Sequence, residues 1–323
     1  MKIQVNGINL FFDTEGASLR ANSSAMREVP TVILLHGGPG ADHSIYKPDF
    51  SALTDVAQVI YLDHRGNGRS DDGPPELWTL AQWADDLVAF CDALGIVKPV
   101  VYGASFGGMV AMAYATRHPE HAGKLVLVST SAQATSHTDA KIAMFARLGG
   151  AAAGELARRR FVEGDTSPAL LKDWIDIAFP LYTQTAPDPH LWSRIVMKQP
   201  VRERFFGPGG EGRTLDMLHE LSRIQCPTLV MGGALDPMLP IECQRDIAAA
   251  IPQHHVRYRE FANCGHGVIQ DAPIEAMAVL REFIEQRGPT SQPSQLRLDS
   301  DGSNDETHPH PNPPLEGEGT HSA

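Results

Sequence analysis

Apolar residues along this chain fall in short, dense runs separated by polar and glycine-rich stretches. TVILL (31–35), QVIYL (58–62), PVVYG (99–103), KLVLVST (124–130) and CPTLVMGG (226–233) are rich in β-branched residues and of strand length. Their apolar character is nearly continuous, the mark of strands covered on both faces. HVRYREF (255–261) reads as a further strand. Ahead of them, residues 2–5 and 8–12 flank Asn6-Gly7, whose two residues tolerate positive φ, and this predicts a hairpin. Residues 79–94 and 106–117 repeat apolar positions at helical spacing. Leu80, Trp83, Ala84, Leu87, Val88 and Phe90 make up most of one such face. A last helix is predicted from 272 to about 287, and the polar stretch 17–30 as a surface loop.

Strands alternating with helices predict an α/β fold with a parallel sheet built from βαβ units. After residue 131 the pattern changes. Residues 132–214 carry helical periods, three consecutive arginines (158–160), many prolines and no clear strand. The expected organisation is therefore a core formed by 1–131 and 215–288, a helical cap at 132–214, and a tail at 289–323. The tail is Ser, Pro, Asp, Asn and Gly with almost no apolar residues, and is expected to be disordered.

Composition narrows the function. Of the 323 residues 42% are hydrophobic, enough for a sizeable core. The formal charge of -12 argues against nucleic acid, whose phosphates need a basic face. Much of that charge is the acidic tail, where Asp299, Asp301, Asp305, Glu306, Glu316 and Glu318 face a single Arg297. The cysteines Cys91, Cys226, Cys243 and Cys264 form no CxxC pair, so free thiols in a reducing compartment are expected rather than a metal site or a disulfide framework. The opening MKIQVNGINLFF lacks a basic n-region before a long apolar stretch, so no secretory signal is expected. No window approaches the ~20 apolar residues of a membrane span. A cytoplasmic protein without membrane association is the expectation; the oligomeric state is not set by the sequence.

Candidate chemistry centres on Gly103-Ala104-Ser105-Phe106-Gly107, a G-x-S-x-G match. Alone it is weak, since average Gly and Ser usage yields roughly 0.1 matches in a chain this long. Here an apolar strand precedes it and a helical pattern follows, the context in which such a serine is a nucleophile on a tight turn. The alternative is a plain strand-to-helix turn whose serine caps the helix. A serine hydroxyl needs a base, and His266 is offered by Asn263-Cys264-Gly265-His266-Gly267, after the last predicted strand. The imidazole needs a carboxylate to fix its tautomer. Asp236, in GGALDPMLP after the strand 228–233, is placed for it, although Asp-Pro is also ordinary turn chemistry. The order Ser, Asp, His is the chain order of this kind of triad. A developing oxyanion needs backbone donors: Phe106 N–H is one candidate, and the glycine loop His36-Gly37-Gly38-Pro39-Gly40 offers Gly38 as the other.

Taken together, HGGPG (36–40), DHRGNGRS (63–70), GASFGG (103–108), GALD (233–236) and CGHG (264–267) resemble the α/β-hydrolase superfamily, and within it most closely the proline iminopeptidase-like branch. The likeness spans about residues 2–287. It implies an eight-stranded, mostly parallel sheet with a helical cap inserted after the sixth strand. It also implies a serine hydrolase that cleaves a small amide or ester of a small molecule or short peptide through an acyl-enzyme, without cofactor or metal. Prolyl aminopeptidase activity is the sharpest version. A carboxylesterase on the same frame is the alternative, with a carbon–carbon bond hydrolase or a non-catalytic ligand-binding protein behind it. The chain departs from the branch at Phe106, where tryptophan is usual, and at Asp63-His64-Arg65, where Asp-Gln-Arg is usual. Enzymes of that branch hold a substrate amine with cap glutamates; Glu155, Glu163, Glu203 and Glu211 are the candidates here. Asp63, Arg65 and Ser70 are expected to act structurally.

Overall fold

A computed structural model describes residues 1–22, 25–186 and 188–286; the tail expected to be disordered, 289–323, lies outside the described residues. The apolar runs form the predicted strands. β1 (Lys2–Val5) and β2 (Ile8–Glu15) pair as a hairpin across Asn6 and Gly7, both at positive φ. β3 (Leu19–Asn22) and β4 (Ala25–Glu28) make a separate two-stranded ladder within the stretch expected to be loop. β4 is exposed along its whole length, so it has no inward face and leaves no alternation to read.

The remaining strands are β5 (Thr31–Leu35), β6 (Gln58–Leu62), β7 (Val100–Ala104), β8 (Lys124–Val128), β9 (Thr228–Gly233) and β10 (Val256–Phe261). The main sheet has eight strands in the order β1-β2-β6-β5-β7-β8-β9-β10. β6 through β10 run parallel, and β2 joins β6 antiparallel. Continuous apolar runs were needed because both faces are covered. Ile33 and Leu35 pack into one core with α1 (Leu80–Leu94) and α2 (Phe106–Arg117). Their neighbours Val32 and Leu34 pack into the other.

Three helices follow β9 and β10: α7 (Ile241–Ala250), α8 (Val268–Asp271) and α9 (Pro273–Glu285), the last covering the second core. Between β8 and β9 lie α3 (Thr138–Phe161), α4 (Pro168–Asp173), α5 (Leu191–Arg194) and α6 (Gln199–Phe206), with no strand among the described residues there. α3 is broken at Gly150, where φ 75° and ψ −172° leave the helical region. Its two halves fold back on each other, so that Gly154 faces Ala146 closely. Phe145, Leu156, Leu170 and Trp174 make a third, separate core there. None of the described helices is long and apolar enough to cross a membrane.

α2 starts hard against the end of β5: a Cβ on Gly107 would overlap the Leu35 carbonyl oxygen. Backbone atoms cannot yield as side chains do. Gly107→Ala should therefore destabilise the fold by about 3 kcal/mol, lowering Tm by roughly 6–12 °C in calorimetry. An unchanged melting curve would refute the close approach.

Candidate active site

β7 ends at Ala104, and Ser105 turns the chain into α2 with φ 54° and ψ −121°. That conformation is rare for a residue with a side chain and carries strain. Its side chain makes no capping bond to α2, so the plain helix-cap alternative does not describe this serine. The turn is held instead by its backbone: Ser105 N–H donates to Val128 O at 3.0 Å, and Thr130 Oγ1 donates to Ser105 O at 2.7 Å. Gly37 sits alongside, where a Cβ would come 3.5 Å from Ser105 Cβ. The two proposed oxyanion donors remain unengaged. Phe106 opens α2, where first-turn N–H groups lack an intrahelical acceptor, and Gly38 N–H meets no acceptor among the described residues.

Asp236 and His266 are brought together directly. Asp236 is fully buried after β9, and its two oxygens divide the work. Oδ1 accepts from Met238 N–H at 2.8 Å and Leu239 N–H at 2.9 Å, the Asx turn that Asp-Pro suggests. Oδ2 lies 2.8 Å from His266 Nδ1. A neutral imidazole then donates from Nδ1 and leaves Nε2 as its basic atom. Burial alone would lower the proton affinity of His266; the charge and hydrogen bond of Asp236 override it, and the pKa is raised above the ordinary 6.5. Ser105 follows β7, Asp236 follows β9 and His266 follows β10, so all three stand at the carboxyl ends of parallel strands. Ser105 Oγ and His266 Nε2 are not hydrogen-bonded here; such bonds often tighten only in the substrate complex.

The segment between β8 and β9 reaches this site. His266 N–H donates to Tyr182 O at 2.6 Å, and the Tyr182 ring stands edge-on to the imidazole at 5.6 Å. Gly265 makes this possible, since a Cβ there would overlap the Tyr182 carbonyl oxygen. Trp174 Nε1 in turn donates to Tyr182 Oη at 3.0 Å. On the other side, Lys198 N–H donates to Gly40 O at 2.7 Å and Val196 N–H to Asp42 Oδ2 at 3.0 Å.

The block at 63–70 braces the glycine loop. Asn67 Oδ1 accepts from Gly40 N–H at 2.6 Å. Asp63 accepts from His43 and from Arg69 N–H, and Ser70 Oγ closes back on Asp63 O at 2.7 Å. Arg65 is buried in a two-pronged pair with Asp86 at 2.7 and 2.8 Å, while Trp83 Nε1 donates to its carbonyl. Asp42, His43 and Asp63 lie close enough to share a cation, yet every carboxylate oxygen already accepts from protein donors, among them Ser44 and Arg69. Arg65, Asp63 and Ser70 thus hold this part of the chain together through hydrogen bonds.

A family profile described as alpha/beta hydrolase fold matches residues 30–273. This chain belongs to the α/β hydrolase fold family. It is 29% identical to a proline iminopeptidase of Lactobacillus helveticus over 277 residues, covering 80% of this chain and 91% of that one. Among solved structures, a proline iminopeptidase from Mycobacterium smegmatis superposes with a TM-score of 0.72 at 24% identity, over 88% of this chain and 97% of that one. An esterase from Exiguobacterium antarcticum gives 0.66 at 20% identity, over 88% and 99%. The likeness to proline iminopeptidases read from the motifs is thus met in these relatives.

In this member of the fold family the positions that depart from the proline iminopeptidase pattern have clear physical places. Phe106 points into the core, edge-on to Trp83 at 5.0 Å and to Phe205 of α6 at 5.2 Å. His64 is buried beside it, and burial pushes its pKa well down. Three of the four glutamates are engaged elsewhere. Glu155 and Glu163 are exposed and pair with Arg158, Glu203 is exposed, and Glu211 accepts from Leu80 N–H at 2.9 Å. All four cysteines are buried free thiols. Sequence reasoning passed over Asn67, whose only signal is its place between the two glycines of RGNGRS, and the contact of Tyr182 with the histidine.

The raised pKa of His266 depends on one neighbour. In Asp236→Asn the burial effect is left unopposed, so the His266 pKa should fall below 6.5 from a wild-type value above it. NMR titration of the labelled imidazole checks this; coincident titrations in the two proteins would contradict it.

Proposed function

We propose that this chain is a serine hydrolase acting on a small ester or amide. Ser105 attacks the carbonyl, and His266 takes its proton and returns it to the leaving group. Asp236 holds the imidazole, and the N–H groups of Gly38 and Phe106 receive the oxyanion. Water then hydrolyses the acyl-enzyme by the same route. The observation that carries this reading is the strained, uncapped Ser105 turn, standing at the carboxyl end of the sheet beside the His266–Asp236 pair. A serine that only shaped a turn would use its hydroxyl to cap α2.

Two acyl classes compete. The proline iminopeptidase relatives favour a prolyl amide. The engagement of Glu155, Glu163 and Glu211 with other groups favours a substrate without a free amine. The ester reading therefore takes precedence, and prolyl-naphthylamide assayed beside short p-nitrophenyl esters decides between them.

A fluorophosphonate probe should label the wild-type chain and leave Ser105→Ala unlabelled; the reverse would end the serine-hydrolase reading. Ser105→Ala should lose at least about 10⁴-fold in kcat. Asp236→Asn should lose about 10⁴-fold. The base acts only when neutral, so the rate should fall as pH drops through the raised pKa of His266, on a limb above pH 6.5. Activity held level down to pH 5 would exclude His266 as the base.

A further inference from the structure

The three consecutive arginines of α3 do not share one environment. Arg158 faces out and pairs with Glu155 and Glu163, and Arg159 pairs with Asp165. Arg160 turns inward. Its guanidinium lies 4.3 Å over the Trp174 ring, and it donates to no group among the described residues. Trp174 holds Tyr182, and Tyr182 touches His266, so Arg160 is two side chains from the base.

Two more cations share this condition. The break at Gly150 folds the first half of α3 back along the second, which carries Lys141 to the same ring cluster. Lys141 is only 4% exposed, its ammonium 5.4 Å over Phe161, itself edge-on to Trp174. No described residue accepts a hydrogen bond from it or pairs with its charge. A ring face attracts a cation but takes none of the three N–H donors of an ammonium. Arg202 of α6 stands beside Gly40 of the glycine loop, half-buried and likewise without an acid. Both arginines bear electrostatically on Tyr182, and the field of Asp236 reaches Lys141. Asp236 is committed to His266, Asp165 to Arg159 and Asp188 to Arg194.

We propose that this cluster reads a carboxylate: the substrate is a small ester or amide bearing an anionic group, held by Lys141 and Arg160, with Arg202 beside the glycine loop. Buried and half-buried cations whose donors no described protein group uses are complementary to an anion and hostile to an ammonium. The inference rests on the hydrolase reading, and it sharpens that reading by naming what the acyl or leaving group must carry.

Two matched pairs of esters test it: p-nitrophenyl hemiadipate against its methyl ester, and 4-acetoxybenzoate against its methyl ester. The first pair puts the charge on the acyl side, the second on the leaving group. In at least one pair, kcat/KM should favour the anion by tenfold or more. Lys141→Met and Arg160→Met, with folding checked by melting curves, should each cut that ratio at least fivefold. Ratios near one in both pairs, or a preference that survives both substitutions, would overturn the proposal. Adipate and benzoate are also titrated calorimetrically into Ser105→Ala. Binding that weakens at least tenfold with Lys141→Met supports the anion site even if no ester is cleaved and no probe labels Ser105, an outcome in which only the hydrolase reading fails. Absence of both turnover and carboxylate binding overturns the two together.

Discussion

Helix α2 begins so near the carbonyl end of β5 that no side chain fits between them, and the geometry of the site follows from that contact. β5 runs directly into the glycine loop at 36–40, and α2 is preceded directly by Ser105. Fixing Gly107 over Leu35 therefore fixes the loop relative to the serine turn. Backbone packed on backbone has no rotamers to sample, so it holds two donors and a hydroxyl in register better than side-chain packing could. The buried Arg65–Asp86 pair and the Asn67–Gly40 bond then keep the outer part of the loop from drifting.

The histidines show how the same fold sets proton affinity in opposite directions. His64 is buried and His266 partly so, and desolvation disfavours the charged ring in each. His64 has no carboxylate to oppose its burial, only a second histidine, His36, beside it, and is pushed far down. His266 has a carboxylate, and the sign reverses. The difference is one hydrogen bond of 2.8 Å from an acid whose other oxygen is occupied by its own turn.

The sheet was legible in the sequence because β5 to β9 must be apolar on both faces, which leaves dense runs that few other structures produce. Ser105 and Asp236 stood out as candidates because each follows such a run, and His266 because it sits between two glycines after the last predicted strand. The β3–β4 ladder was not legible, since β4 is exposed throughout and imprints no pattern. Within 132–214 the composition announced helices but hid their geometry. Nothing in a run of three arginines tells which one turns inward, because that depends on the break at Gly150 and on which acids lie within reach.

The bond from His266 N–H to Tyr182 O, with the one from Lys198 N–H to Gly40 O, makes the inserted segment part of the core's own backbone network. It is not a removable module. A chimera that exchanged 132–214 whole, joining another protein's segment at convenient sequence boundaries, would replace the carbonyl that holds the amide of the histidine. Grafts that preserve the register at 182 and 198 would keep both ties. The limits of an exchangeable unit are thus set by residues 182 and 198 rather than by the ends of the insertion.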